Sequence, residues 1–160
     1  QKLLLPGARP YRTPSASTQT QPSRLAFITD IFRKSDSIPD GEQFVWPVPS
    51  RKINQYFKGW RHTGIDVHGT LKDDIYAVLP GTVVASGWNS GGYGYRVIID
   101  HGGGMQTLSA HASKLFVKKG DKVVKGQAIG KLGSTGRSTG PHIHFEVIVN
   151  GVRQNPLNYY

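Results

Sequence analysis

From residue 44 onward the sequence never runs far without a turn former. Short β-branched and aromatic runs at 75–78, 81–86, 95–100, 105–110, 122–124 and 143–149 alternate with Gly91-Gly92, Gly102-Gly103-Gly104 and Asn150-Gly151. Such runs are too short for helices, and the residues between them favour tight reversals. The pattern predicts an all-β fold, a compact antiparallel β-sheet domain over 44–160 with almost no helix. The 160 residues suffice for one domain with a hydrophobic core, not for two.

Upstream the texture differs. Residues 8–24 are rich in Pro, Ser, Thr and Gln, without apolar periodicity. They bury too little surface to offset their ordering entropy and read as a linker. Residues 25–33, LAFITDIFR, read as a short amphipathic helix or a segment lying on the domain, and 35–43 as turn-like. The whole of 1–43 is thus expected to be a mostly irregular N-terminal segment. Its first seven residues, QKLLLPG, resemble the last strand of a LysM repeat, a small module that binds wall glycan.

Composition narrows the partners. The formal net charge is +10, from 20 Lys+Arg against 10 Asp+Glu. A basic surface suits polyanions. The basic residues are scattered, which reads first as a solvated basic surface. No helix-turn-helix, finger spacing or aromatic RNA-binding motif accompanies them, so nucleic acid is not expected, and anionic lipid or anionic wall polymers are the polyanions left. No segment approaches the ~20 apolar residues of a membrane span. The chain opens on Gln1 without a signal peptide and reads as a fragment. There is no Cys, so any metal must be held by His and carboxylates. The default oligomeric state is a monomer.

Six histidines are present, and three fall in arrangements suited to metal chemistry. In RHTGID, His62 precedes Asp66 by four residues, with Gly64 between them to let the backbone turn so that both side chains face one point. In GPHIHFEV, His142 and His144 lie two apart in a strand-like run, so both point to one face. Catalytic zinc typically takes three protein ligands and keeps a fourth position open. His62, Asp66 and one of the final pair supply such a set, leaving the other imidazole for proton work near neutral pH.

Read together, these segments resemble the lysostaphin-type (LytM-like) zinc metallopeptidases. The similarity covers 44–160 and includes WPVP at 46–49, RHTGID at 61–66, GYGYRVIIDHGGG at 92–104, Ala110-His111, GDKVVKGQAIGKLGSTGRSTGPHIHFEV at 120–147 and Asn155-Pro156, all in the family's order. The resemblance implies a duplicated β motif with an open active-site groove and an endopeptidase that cuts the peptide part of bacterial peptidoglycan, in stem or cross-bridge, at the cell envelope or outside the cell. It implies Zn²⁺ held by His62, Asp66 and His144, with His111 and His142 as catalytic histidines, Tyr56 assisting the transition state and a loop at 134–140 beside the groove. Around His111 the family usually reads Tyr-Ala-His-Leu, where this chain has Ser109-Ala110-His111-Ala112. The smaller neighbours predict a roomier setting for that ring. After Asp66 the chain reads VHGTLKDDIYA in place of the family's Pro- and Gly-containing turn, which bears on the groove rim. His68 and His101 match no role, and His101 reads as a structural turn residue.

Three alternatives compete, one of them a purely structural wall-binding protein anchored through charge and the LysM-like run, which leaves the clustered histidines unexplained. A catalytically inactive LytM-like module would bind wall or activate a partner hydrolase, but such members typically lose ligands, and here all five positions are filled. A biotinyl- or lipoyl-like carrier is suggested by GDKVVKGQAIGKLG, yet neither Met-Lys-Met nor Asp-Lys-Ala occurs to present a carrier lysine.

Overall fold

The structure is a computed structural model that describes residues 43–160, so the expected linker, the LysM-like run at 1–7 and the segment 25–33 lie outside the described residues. Eleven strands follow in order: β1 (Ile53–Gln55), β2 (Ile65–His68), β3 (Asp74–Tyr76), β4 (Gly81–Asn89), β5 (Gly94–Gly102), β6 (Met105–Ala112), β7 (Lys114–Leu115), β8 (Lys122–Val123), β9 (Ala128–Lys131), β10 (His142–Val149) and β11 (Val152–Gln154). Helix is limited, among the described residues, to two 3-10 turns at Gly59–Arg61 and Pro156–Tyr159. None is long and apolar enough to cross a membrane.

The strands form two antiparallel sheets. The larger has the order β1-β2-β10-β6-β5-β4-β8, with β11 also paired to β10, and the smaller is β3-β9-β7. All six expected strand runs are present. The long hairpin strands reach further than expected, to Asn89 and Gly102, while the run at 75–78 leaves the ladder at Tyr76, where the register shifts. β1, β2, β7, β9 and β11 were not expected. They are two to four residues long and exist through their pairing: β9 carries Gly130, which lets Lys114 O approach where a Cβ would sit.

The central strand β10 divides core from site. Ile143, Phe145 and Val147 are fully buried in a cluster shared with Ile65, Val67, Val97 and Ile99 of the large sheet and Ile75 and Ile129 of the small one. The period of two then puts His142, His144 and Glu146 on the opposite face. Phe44 stacks on Tyr159 with ring centroids 5.3 Å apart, and Trp46 meets Tyr160 at 4.6 Å, tying the two ends of the described segment together.

Candidate active site

His144 sits in register with Asp66 of β2 on one side and with Ala110 of β6 on the other. Paired residues share a face, so β2–β10 pairing alone delivers Asp66 to His144. His62, on the approach to β2, completes a trio whose ligand atoms lie within 4.8 Å of one another. Gly64 works differently from the expectation. It is not among the positive-φ glycines, and a Cβ there would fall on Phe145 O. The position requires space against β10, not a turn only glycine can make.

The proton positions in this trio follow from its partners. His62 Nδ1 donates to Tyr56 O at 2.8 Å, which leaves Nε2 as a lone pair facing Asp66 Oδ1 at 3.1 Å. His144 Nε2 donates to Glu146 Oε1 at 3.0 Å, which leaves Nδ1 facing the same Asp66 oxygen at 2.7 Å. Three electron-rich atoms therefore converge, and either a proton on His144 or a metal cation satisfies them. Burial lowers the His144 pKa, but its bonds to Asp66 and Glu146 outweigh that and raise it to about 9. Asp66 is pushed up by burial and down, more strongly in sum, by His144 and the charges of His62 and His142, ending below the ordinary carboxylate value. An ionised carboxylate and two imidazoles with fixed tautomers form a donor set that fits a divalent transition metal.

Behind His144 lies a group the sequence reading did not single out. Glu146 is fully buried. Its Oε1 accepts from Thr63 Oγ1, from Tyr93 OH at 2.8 Å and from His144, while Oε2 accepts from Arg153 Nε at 3.1 Å. Burial pushes its carboxyl up, but His144, Thr63 and Tyr93 hold it down at about 2. The alternation His142, His144, Glu146 was legible in HIHFE; the approach of Thr63, Tyr93 and Arg153 was not.

His111 reaches the groove by breaking the alternation of β6. Thr107 pairs with Val147 and Ser109 with Phe145, both core residues, so an unbroken strand would turn His111 inward as well. Instead Tyr95 and Val97 of β5 oppose Ala112 and Ser109, which places one extra residue in β6, and His111 adopts φ 65. A left-handed conformation at a bulky residue costs about 1–3 kcal/mol. It sets the His111 ring beside His142, centroids 4.7 Å apart. The small neighbours Ser109 and Ala112 are buried, and His111 itself is 6% exposed. Burial pushes its pKa below the ordinary histidine value, reinforced by His142 and His144 and opposed by its bond to Thr135 O.

The loop at 134–140 orients both rings. His111 Nδ1 donates to Thr135 O at 2.7 Å, and His142 Nδ1 donates to Gly140 O at 2.8 Å with Ser138 Oγ at 3.1 Å. Each Nε2 is thereby the unprotonated nitrogen in the neutral ring, and that of His142 lies 3.9 Å from Asp66 Oδ2. The loop is held by Arg137 N donating to Gly92 O at 2.7 Å, and by Gly136, where a Cβ would strike Gly92 and Gly94.

The remaining residues separate. Tyr56 has its side chain exposed and touches the trio through its carbonyl. His68 is exposed at the end of β2, in register opposite His142. His101 lies away from the trio, with Nδ1 bonded to Pro80 O at 2.7 Å and Nε2 to Thr107 Oγ1 at 2.8 Å.

Peptidase family M23 matches the chain over residues 60–156. A DD-carboxypeptidase/endopeptidase Mpg of Neisseria meningitidis is 44% identical over 100 residues, 62% of this chain and 23% of the relative. A glycyl-glycine endopeptidase ALE-1 of Staphylococcus capitis is 37% identical over 98 residues, 61% of this chain and 27% of the relative. The chain thus spans about a quarter of the length of these curated relatives. The solved structure of a zinc-containing peptidase from Vibrio cholerae superposes with a TM-score of 0.67 at 32% identity, covering 71% of this chain and 39% of that one.

Proposed function

The chain belongs to peptidase family M23, and from that premise we propose that it is a zinc metalloendopeptidase hydrolysing peptide bonds of bacterial peptidoglycan at the cell envelope. The observation that carries the reading is the convergence of His62 Nε2, Asp66 Oδ1 and His144 Nδ1 beside the His111–His142 pair. Those three atoms would hold the ion, and Asp66 would offset part of its charge. Zinc, when bound, supplies Lewis acidity, which lowers the pKa of water and polarises a carbonyl.

The chain's own groups do the rest. Of His111 and His142, each with Nδ1 committed to a backbone carbonyl, one accepts the proton of the attacking water. That ring, now carrying the water's proton on Nε2, can pass it to the leaving amine, and the other ring, when protonated at Nε2, donates to the developing oxyanion. Tyr56 is assigned a hydrogen bond to the oxyanion. Its hold on His62 runs through the backbone, so Tyr56→Phe should slow turnover and leave metal affinity unchanged.

The test is bound zinc and peptidoglycan solubilisation on one preparation, wild type beside His142→Ala. Zinc in both with cleavage only by the wild type supports the reading. Zinc in both with no wall type cleaved by either overturns it in favour of an inactive module that binds wall or activates a partner hydrolase.

A further inference from the structure

Two arginines line the groove beside the trio. The groove holds about 210 Å³ and is bordered by Trp60, Arg61 and Arg137 together with His62, His111 and His144. Arg61 comes from the 3-10 turn just before His62, and Arg137 from the loop that orients His111 and His142. The backbone of Arg137 is fixed on Gly92 O, and the Arg61 guanidinium lies over the Trp60 ring, 5.1 Å from its centroid.

Both side chains are exposed, and neither forms an ion pair among the described residues. Arg153, by contrast, is committed to Glu146. No Asp or Glu is among the residues bordering this groove, and Asp66 is engaged by His62 and His144, so both guanidiniums are available to an anionic group on a ligand. A guanidinium presents a planar pair of donors that matches a carboxylate.

We propose that Arg61 and Arg137 form a carboxylate subsite next to the scissile bond. The preferred substrate is then a stem peptide with a free carboxylate on the carbon that bears the leaving nitrogen. A D-Ala link to a diamino acid of the diaminopimelate kind has that group; an uncharged glycine bridge has only amides. This rests on the peptidoglycan reading above.

The zinc-loaded full chain is tested on three synthetic probes: a D-Ala–diaminopimelate cross-linked stem dimer, the same dimer with the adjacent carboxylate amidated, and a pentaglycine peptide blocked at both ends. Equilibrium binding is read in the His142→Ala background and turnover in the parent. Amidation should weaken binding about ten-fold or more, as expected for loss of a charge-assisted bidentate contact, and pentaglycine should bind no better than the amide. In turnover the effect should fall on KM rather than kcat. An added Arg61→Gln/Arg137→Gln pair should bind acid and amide alike while keeping its zinc and melting temperature.

Equal binding of acid and amide without the arginine changes, or discrimination that survives them, overturns the subsite. The two readings fail separately. Acid and amide cleaved with equal efficiency would remove the subsite and leave the hydrolase. Discrimination in binding without cleavage of any probe would remove the hydrolase and leave the subsite.

Discussion

Asp66 Oδ1 is shared between His144 and His62, so losing that carboxylate removes the atom on which the trio converges. Asp66→Ala, His62→Ala and His144→Ala are expected to lose zinc and wall cleavage together, checked by metal analysis beside turnover. His111→Ala and His142→Ala should keep zinc and lose about 10²–10⁴ in turnover, the usual weight of a positioned proton-transfer group. Glu146 acts one bond further out. Glu146→Ala should weaken zinc binding by about 10–100-fold in chelator competition, because His144 loses the acceptor that fixes its tautomer. Stability should also fall by roughly 1–3 kcal/mol as the donors of Thr63 and Tyr93 lose their partner. Glu146→Gln retains an acceptor and should restore part of the zinc affinity. Zinc affinity unchanged in Glu146→Ala would show that the His144–Glu146 bond has no bearing on the metal.

The β2–β10 ladder is the element that builds the trio, and just before it Gly64 leaves no room for a Cβ against Phe145 O. Gly64→Ala must displace the segment before β2 from Phe145 O, so a loss of about 1–3 kcal/mol in denaturant unfolding is expected together with weaker zinc binding. On β5, His101 is held neutral: burial lowers its pKa, against the opposing effects of Pro80 O and Asp100. A histidine with a depressed folded pKa binds fewer protons in the native state than in the unfolded one. Its contribution is therefore intact above about 6.5 and is lost as pH falls below that value. Stability should drop on acidification through this window, and His101→Gln should flatten that part of the profile measured by thermal melting. A profile unchanged by the substitution would place the acid sensitivity elsewhere, with His111, also depressed by burial, the next candidate.

For the whole domain a metal bound at the trio would not be the keystone. The apolar cluster runs through both sheets without passing through the trio. Chelation is accordingly expected to abolish turnover while the far-ultraviolet spectrum of a β protein persists. Added zinc should raise the melting temperature by mass action, with about 2.7 kcal/mol of stabilisation at a hundred times its dissociation constant. Loss of the β spectrum on chelation would show that metal and fold are coupled.

The sequence alone determined the β class, because short β-prone runs between obligatory turns leave little choice, and it determined the pairing of histidine side chains on β10, because period two is a local property. Spacing pointed to His62, Asp66 and one of the His142–His144 pair, and the family resemblance singled out His144 and added His111. Contacts between distant segments were decided only by the tertiary structure. Thr63, Tyr93 and Arg153 reach Glu146 from three separate places in the chain, and nothing local marks them. The short strands β1, β7 and β11 depend on a neighbour for every ladder bond. His111 faces the groove only because a bulge in β6, supported by Thr135 O, overrides the alternation that its own sequence would impose. A local pattern fixes which face a side chain prefers; the packing of one segment on another fixes which residues meet there.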